Sequence, residues 1–276
     1  MSYTDMPKYV FLDIDGTLVD ENGKINESTD IALLTAVKNG HRLFLATGRL
    51  LAIVPKIFLE EYGFAGVVSD SGANVICDGE QIFTKHFPEE DLETAVRLMR
   101  ENDAPCLFCS QDDLFATKED LDAIRTIYDY AGINSDEAEE FLGRVIIANP
   151  NDLSRIEKFI YLDSGLELDE VRALLGENFQ VDGYSFGGSL PCSGEVTPAG
   201  VTKAAGIRRI EEAFGIPHED TVAIGDGKND IAMIAYAGIG VAMGNACKEV
   251  KACADFVTDP MDEDGLYGAF ERLGLL

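Results

Sequence analysis

The feature that most constrains this chain is a five-residue run, Asp13-Ile14-Asp15-Gly16-Thr17, directly after the apolar run Tyr9-Val10-Phe11-Leu12. Because side chains alternate along a strand, Asp13 and Asp15 point to one side while Ile14 points to the other, into packing. Gly16 then permits a close turn. The pattern predicts a buried strand that ends in two carboxylates on the same side.

Two carboxylates at this spacing repel each other, so either one of them carries a proton or both face a cation. A hard divalent cation such as Mg²⁺ binds carboxylate and carbonyl oxygens. The pair Asp13 and Asp15 therefore predicts a metal, a protonated carboxyl, or both. The Thr17 hydroxyl and the amides after Asp13 can point toward an anion above the strand end. Asp and Gly are also favoured in solvated turns, so the run alone is compatible with a simple turn.

A second strand-like run, Arg42-Leu43-Phe44-Leu45-Ala46, ends in Thr47-Gly48-Arg49 just before a helical segment. A strand end that also opens a helix offers phosphate oxygens amide donors and a favourable dipole. We therefore take Thr47 and the amides beside it as candidates for phosphate binding. An ordinary strand-to-helix turn has the same pattern, so this signal is weak by itself.

Lys203 lies near the start of a helical pattern that we predict over residues 199–214, with Pro198 at a position suited to a helix opening. A lysine there can reach a phosphoryl oxygen as a point charge and can hold the Asp13 carboxylate ionised. Most lysines on helices are merely solvated, so Lys203 is a candidate only because the other runs are present in the same chain.

A further apolar strand, residues 221–225, runs into the acidic loop Asp226-Gly227-Lys228-Asn229-Asp230, which opens another helix. Asp226 stands at a strand end, where its carboxylate can complete a Mg²⁺ site with Asp13. Asn229 and Asp230 can orient a ligand or the waters of the metal. Both residue types also suit a helix N-cap, a role that is compatible with metal support.

These four runs, in this order, resemble the four motifs of the haloacid dehalogenase superfamily and, more narrowly, those of the Cof-like phosphatases of its IIB subgroup. The resemblance covers nearly the whole chain except its middle, where only the layout is similar. Further similar stretches are 71–73, 195–203, 230–234 and 240–246, the last containing Gly244-Asn245-Ala246.

Strand and helix alternate from Tyr9 to about Tyr62 and again from Ala199 onward, which is typical of an α/β fold with a doubly wound parallel sheet, a Rossmann-like core. Ligands of such sheets bind outside the carboxyl ends of the strands. Asp13, Thr47 and Asp226 are all predicted to lie at such ends. Motifs from distant parts of the chain are thereby expected to meet in one crevice.

The middle of the chain has a different pattern and reads as an inserted α+β domain. The predicted domains are residues 1–84 with 194–276 for the hydrolase core and 85–193 for the insert, and a turn is expected at residues 185–189. The resemblance implies that the insert is a cap that covers the active site and sets substrate specificity. Its predicted helices span 89–102, 118–130 and 168–177, and its predicted strands span 106–109, 113–117, 145–147 and 158–162.

The chain has 22 Lys and Arg against 50 Asp and Glu, a formal charge of −28, which argues against nucleic acid or an anionic membrane as a partner. Its apolar runs are too short to span a bilayer, and Met1–Lys8 lacks a signal-like apolar core, so we expect a cytoplasmic protein. Cys106 and Cys109 have the spacing of half a zinc site, but a second pair or a nearby histidine is missing.

The resemblance implies Mg²⁺-dependent hydrolysis of small phosphate monoesters, such as sugar phosphates or related metabolites, through an aspartyl-phosphate on Asp13. It implies that Asp15 is the general acid and base, and that Mg²⁺ is held by Asp13, Asp226 and the main-chain carbonyl of Asp15. The phosphate-binding residues that it implies are Thr47, Gly48, Lys203 and Asn229, with Arg49 and Asp230 in support. The expected partner is a small phosphorylated metabolite.

Three alternatives remain open from the sequence. A sugar phosphomutase can use the same two aspartates but passes the phosphoryl group to a second hydroxyl. A haloacid dehalogenase needs no Mg²⁺, which would leave Asp15 and Asp226 without a purpose. A phosphometabolite-binding protein without turnover is disfavoured by the intact set of Asp13, Asp15, Lys203 and Asp226.

Overall fold

The computed structural model describes residues 6–20, 22–133, 136–184 and 190–276; the turn expected at 185–189 lies outside them. Contacts divide the chain into two units. The first comprises the described residues of Met1–Gly48, Val54–Phe83 and Thr202–Leu276, and the second those of Arg49–Ile53 and Thr84–Val201. The part of the chain that is described contains no helix of the length and apolar character that a membrane span requires.

The strands of the described residues are, in chain order, β1 (Tyr9–Leu12), β2 (Arg42–Ala46), β3 (Gly66–Ser69), β4 (Asn74–Cys77), β5 (Glu80–Thr84), β6 (Cys106–Cys109), β7 (Leu114–Ala116), β8 (Val145–Ile147), β9 (Lys158–Tyr161), β10 (Phe179–Gly183), β11 (Gly194–Pro198), β12 (Thr221–Gly225), β13 (Ile239–Ala242) and β14 (Phe256–Val257). The α-helices are α1 (Glu27–Lys38), α2 (Ile57–Glu60), α3 (Glu89–Glu101), α4 (Lys118–Ala131), α5 (Asp136–Gly143), α6 (Leu168–Leu175), α7 (Lys203–Phe214), α8 (Ile231–Tyr236), α9 (Lys248–Cys253) and α10 (Gly265–Leu273).

The first unit is built on a sheet of order β14-β13-β12-β1-β2-β3-β4-β5. The strands from β14 to β3 pair in parallel, and β4 then runs antiparallel to β3. In the centre, Leu12 is level with Ile224 of β12 and with Leu45 of β2, so these three strands end at the same edge. The predicted doubly wound parallel-sheet core is confirmed.

Helices cover this sheet because its central strands are apolar on both faces, as parallel sheets require. Phe11 and Phe44 stack with their ring centroids 4.8 Å apart and share a buried cluster with residues of α7, α8 and α9. On β1, Val10 and Leu12 point away from Phe11 and are also fully buried. Helix α1 contacts both α10 and β2.

Helix α7 begins later than the sequence pattern suggested. Pro198 is the last residue of β11, not the opening of a helix, and a turn with Gly200 at a φ of +74° follows it. The helix starts at Lys203, and the Thr202 side chain caps it by accepting a hydrogen bond from the Ala205 amide at 3.1 Å. The predicted start at residue 199 is therefore wrong by four residues.

The second unit contains a sheet of order β10-β11-β9-β6-β7-β8, antiparallel except for the β7–β8 pair. Alternate residues of β9 fill two cores: Phe159 packs with residues of α3 and α6, and Ile160 with residues of α4 and α5. The domain boundaries proposed from the sequence remain a prediction. By contacts, the second unit continues to Val201 and includes β11.

Candidate active site

The aspartate after β1 and the aspartate after β12 emerge at the same edge of the parallel sheet. The Asp13 amide donates a hydrogen bond to the Ile224 carbonyl at 3.0 Å, which continues the β1–β12 ladder by one step. Asp226 directly follows Gly225, the last residue of β12. The parallel register therefore explains why two residues far apart in the sequence become neighbours.

Three carboxylates and one ammonium group form a cluster at this edge. Asp13, Asp226 and Asp230 each offer an oxygen, and these oxygens all lie within 4.8 Å of one another. The Lys203 Nζ lies 2.6 Å from Asp13 Oδ1 and 2.5 Å from Asp230 Oδ1. The Lys203 side chain has no exposed surface, whereas the Asp13 side chain retains 8%. With all groups ionised, negative charge exceeds positive charge in a buried place.

The pKa values of the cluster respond to that excess. Burial and repulsion from Asp230 raise the pKa of Asp13 well above its ordinary value, although Lys203 acts in the opposite direction. Burial, followed by repulsion from Asp230, raises the pKa of Asp226 to about 7. Burial would lower the pKa of Lys203, but attraction to Asp13 and Asp230 outweighs it and raises the pKa. The positive charge of Lys203 therefore does not offset the burial and repulsion that raise the pKa of Asp13.

Asp230 is more central than the supporting role expected from the sequence. Its side chain is fully buried, and its Oδ2 accepts hydrogen bonds from the amides of Asp226 at 3.0 Å and Gly227 at 2.9 Å. Its Oδ1 at the same time contacts Lys203. Asp230 therefore fixes the loop that carries Asp226 and links that loop to the start of α7.

The turn after Asp13 fits closely against the Asp226 loop. Gly16 has a φ of +79°, and a Cβ at this position would lie 2.4 Å from Asp226 Oδ2, so only glycine is accommodated. Thr17 donates a hydrogen bond from its hydroxyl to Asp226 Oδ1 at 2.9 Å. From the sequence we expected that the Thr17 hydroxyl can point toward a bound anion. In the structure, this hydroxyl instead contacts the Asp226 carboxylate. Asp15, between Asp13 and this turn, is exposed.

Thr47 and Gly48 follow β2, whose register with β1 brings them to the same edge as Asp13. Thr47 is fully buried; its amide donates to the Val68 carbonyl at 2.8 Å, and its carbonyl accepts from the Ser71 amide at 3.0 Å. Asn229 is half-buried on the Lys228–Asp230 turn beyond β12. Arg49 belongs by contacts to the second unit.

The donor set suits a hard divalent cation. Carboxylate oxygens are the ligands that Mg²⁺ prefers, and a divalent charge would offset the excess of negative charge that raises the pKa of Asp13 and Asp226. The oxygen cluster contains Asp13 and Asp226, two of the residues that the sequence resemblance implies as metal ligands, together with Asp230. A contribution from the Asp15 main-chain carbonyl stays a prediction.

Comparison with known proteins agrees with this geometry. A family model described as haloacid dehalogenase-like hydrolase matches residues 10–270. YkrA of Bacillus subtilis (strain 168), which bears the provisional name of a phosphatase, is 33% identical over 276 residues, 98% of each chain. The phosphoglycolate phosphatase of Methanopyrus kandleri is 30% identical over 278 residues, 97% of each chain. A solved structure of BT4131, a sugar phosphatase of HAD subclass IIB, superimposes with a TM-score of 0.80 at 29% identity, over 98% of this chain and 100% of that chain.

Proposed function

Because the chain belongs to the haloacid dehalogenase-like hydrolase family and is one of its phosphatases, we propose that it hydrolyses small phosphate monoesters with Mg²⁺ through a phosphorylated Asp13. The observation that carries the proposal is the buried cluster in which Lys203 contacts Asp13 beside Asp226 and Asp230. Negative charge exceeds positive charge in this cluster, so it can accommodate a cation together with an electrophilic phosphorus.

In the first half-reaction, an oxygen of the Asp13 carboxylate attacks the phosphorus of the ester. The P–O bond to the alcohol breaks, and its electron pair remains on the alcohol oxygen. The Asp15 carboxyl gives that oxygen a proton, so a neutral alcohol leaves and Asp15 becomes a carboxylate. The exposed position of Asp15, two residues beyond the buried nucleophile, suits a group that exchanges protons with ligand and solvent.

In the second half-reaction, water attacks the phosphorus and passes its proton to the Asp15 carboxylate. The bond between Asp13 and phosphorus breaks, inorganic phosphate leaves, and both aspartates return to their starting states. Lys203, Thr47, Gly48 and Asn229 bind the phosphoryl oxygens in both halves, Lys203 as a point charge and the others as hydrogen-bond donors. Arg49 and Asp230 support this set.

The metal would be held by the carboxylates of Asp13 and Asp226 and the main-chain carbonyl of Asp15, with Asp230 as a further oxygen donor in reach of the cluster. When bound, Mg²⁺ neutralises charge on the phosphoryl oxygens and on the carboxylates. Asp230 orients Asp226 by accepting hydrogen bonds from the loop amides, and Thr17 orients the Asp226 carboxylate through its hydroxyl.

We assign leaving-group selection to the inserted domain, in line with the sugar phosphatase named among the structural relatives, and expect sugar phosphates or related metabolites as substrates.

The excess of acidic residues disfavours nucleic acids and anionic membranes as partners. The six cysteines are scattered along the sequence, and Cys77, Cys106, Cys192, Cys247 and Cys253 are free thiols, which suits a cytoplasmic protein in a reducing compartment.

The direct test is a panel of phosphate esters, from p-nitrophenyl phosphate to sugar phosphates, assayed with Mg²⁺ and with EDTA. We expect release of inorganic phosphate that needs Mg²⁺ and is abolished by Asp13→Asn, which removes the nucleophile but little volume. An isomerised sugar phosphate without free phosphate would identify a phosphomutase. Full turnover by Asp13→Asn under saturating Mg²⁺ would defeat the assignment.

A further inference from the structure

Asn245 makes a hydrogen bond to the turn that follows the predicted general acid. Its Nδ2 donates to the Gly16 carbonyl at 2.9 Å, although the two residues are 229 positions apart in the chain. The same side chain accepts a hydrogen bond from the Met261 amide at its Oδ1, at 3.1 Å. Because Oδ1 faces a main-chain N–H and Nδ2 faces a main-chain carbonyl, the orientation of the side-chain amide is determined by its partners.

This contact completes the fixation of the peptide units around Gly16. The Gly16 amide donates within the turn to the Val19 carbonyl at 2.9 Å, and Asp15 and Val19 form an isolated bridge. The Gly16 carbonyl points out of the turn and meets Asn245. Gly16 has left-handed backbone dihedrals and lacks a side chain. Without the hydrogen bond from Asn245, its backbone would therefore be the most flexible part of the turn.

We propose that Asn245 is a positioning residue for proton transfer: by holding the Gly16 carbonyl, it fixes the backbone that aims the Asp15 carboxyl at the leaving-group oxygen. This role rests on the proposed function, in which Asp15 is the acid. Asp13 is fixed independently, because its amide N–H donates a hydrogen bond to the Ile224 carbonyl and its carboxylate contacts Lys203, so loss of Asn245 is expected to disturb the acid and to leave the nucleophile in place.

The competing explanation is that Asn245 only anchors the segment around Met261. That segment has a second anchor, since the Nδ2 of Asn26 donates to the Met261 carbonyl at 2.6 Å. Asn26 has no hydrogen bond to Gly16 among the described contacts. Asn26→Ala is therefore a matched control, which removes one amide contact to the same segment and leaves the Gly16 carbonyl untouched.

The test compares two esters that differ in their need for an acid. The p-nitrophenolate ion leaves without a proton, whereas the alkoxide of an alkyl ester, taken as the alkyl phosphate that the wild type hydrolyses fastest, needs one. The ratio kcat/KM reports the steps up to leaving-group departure and excludes hydrolysis of the phosphorylated enzyme. We expect Asn245→Ala to lower kcat/KM about tenfold or more for the alkyl ester and less than about threefold for the aryl ester.

Asn245→Asp keeps an acceptor for the Met261 amide but replaces the donor to Gly16 with a carboxylate oxygen, so the same selective loss is expected. Asn26→Ala is expected to leave the ratio of the two kcat/KM values unchanged. Equal losses on both esters, no loss, or loss of the fold in both Asn245 variants, as judged by circular dichroism, would overturn the positioning role. A wild type that hydrolyses neither ester would overturn the proposed function itself.

Discussion

Lys203 bridges two carboxylates from different parts of the first unit, and its side chain is wholly buried. A buried ion pair adds little net stability compared with apolar residues, but removal of one partner leaves an uncompensated charge. The position is therefore intolerant of substitution for a reason separate from catalysis. Lys203 holds together Asp13, the Asp226 loop through Asp230, and the first turn of α7.

We accordingly expect Lys203→Met to lower the free energy of unfolding by about 3 kcal/mol at neutral pH. The loss should shrink in acid, where the carboxylates take up protons. Urea unfolding followed by circular dichroism measures both effects. Lys118→Met is the control, because Lys118 forms an exposed ion pair with Asp122, and its effect should be small. Equal losses in the two variants would contradict the buried-pair account.

The raised pKa of Asp226 makes a second prediction. A carboxyl whose pKa is higher in the folded protein than in the unfolded chain takes up protons on folding, so stability falls as the pH rises through that interval. For Asp226 the interval runs from the ordinary value of 3.8 to about 7, and Asp13 shifts in the same direction. The metal-free protein should therefore become less stable across this range.

Added Mg²⁺ should remove this loss, because it binds the ionised carboxylates. We expect Mg²⁺ to raise Tm more at about pH 8 than at about pH 5, as measured by differential scanning calorimetry. In Asp226→Asn, the metal-free Tm should depend less on pH and the effect of Mg²⁺ should be reduced. A Mg²⁺-induced rise in Tm of the same size at both pH values would contradict this prediction.

At the scale of secondary-structure elements, close packing of α7 on the sheet decides where Lys203 lies. A Cβ on Gly206 would come 2.3 Å from Cγ1 of Val68, a fully buried residue of β3. Within a helix, alanine is favoured over glycine by about 1 kcal/mol, so propensity alone would favour Gly206→Ala. The missing Cβ allows the helix to approach β3.

We expect Gly206→Ala to destabilise the protein by about 1–3 kcal/mol in spite of its better helix propensity, and to lower kcat by displacing Lys203. In the double variant with Val68→Ala, the overlap is relieved, so the combined loss of stability should be smaller than the sum of the two single losses. Additive losses in a denaturant-unfolding cycle would show that the contact between α7 and β3 is not the cause.

Many strands and helices could be predicted from the sequence, and physical reasons can be given for those that were missed. The runs Cys106–Cys109 and Val145–Ile147 form the predicted strands β6 and β8, because short apolar runs bounded by polar residues favour strands. Strand β10 was missed because its residues, Phe179–Gly183, form no apolar run and only Val181 among them is buried, and because its partner β11 is brought to it only by tertiary structure. The late start of α7 was signalled by Gly200 and by the N-cap residue Thr202, which the prediction did not use.

The candidate active site could also be predicted in part from the sequence. Strand ends at one edge of a parallel sheet follow from the alternation of strands and helices, so the neighbourhood of Asp13 and Asp226 was predictable. The bridge from Lys203 to Asp230 was not, since each residue added at a helix start turns the side chains by about 100° around the axis. Contacts such as Asn245 with Gly16 join distant segments and leave no local pattern.

At the scale of the whole molecule, the formal charge of −28 opposes the approach of an anionic ester. The locally positive groups of the site must overcome this field over a short range. Because salt shortens the reach of surface charges, repulsion between protein and substrate is expected to weaken as ionic strength rises.

We therefore expect kcat/KM for a phosphate ester to rise about two- to threefold between about 0.01 M and about 0.15 M salt at constant free Mg²⁺, since the Debye length falls over this range. The value of kcat should change little, because it reports the complex already formed. Steady-state assays in sodium chloride and in choline chloride separate screening from specific ion effects. A fall in kcat/KM would mean that the site attracts its substrate over long range.

The account depends most on Asp13 as the nucleophile, and covalent trapping measures this directly. The enzyme is mixed with an ester carrying radiolabelled phosphorus, quenched in acid during turnover, and digested for peptide mapping by mass spectrometry. We predict labelled protein with the phosphoryl group on Asp13, and none in Asp13→Asn. Phosphate release by the wild type without label on Asp13, or with the label on another residue, would contradict the account.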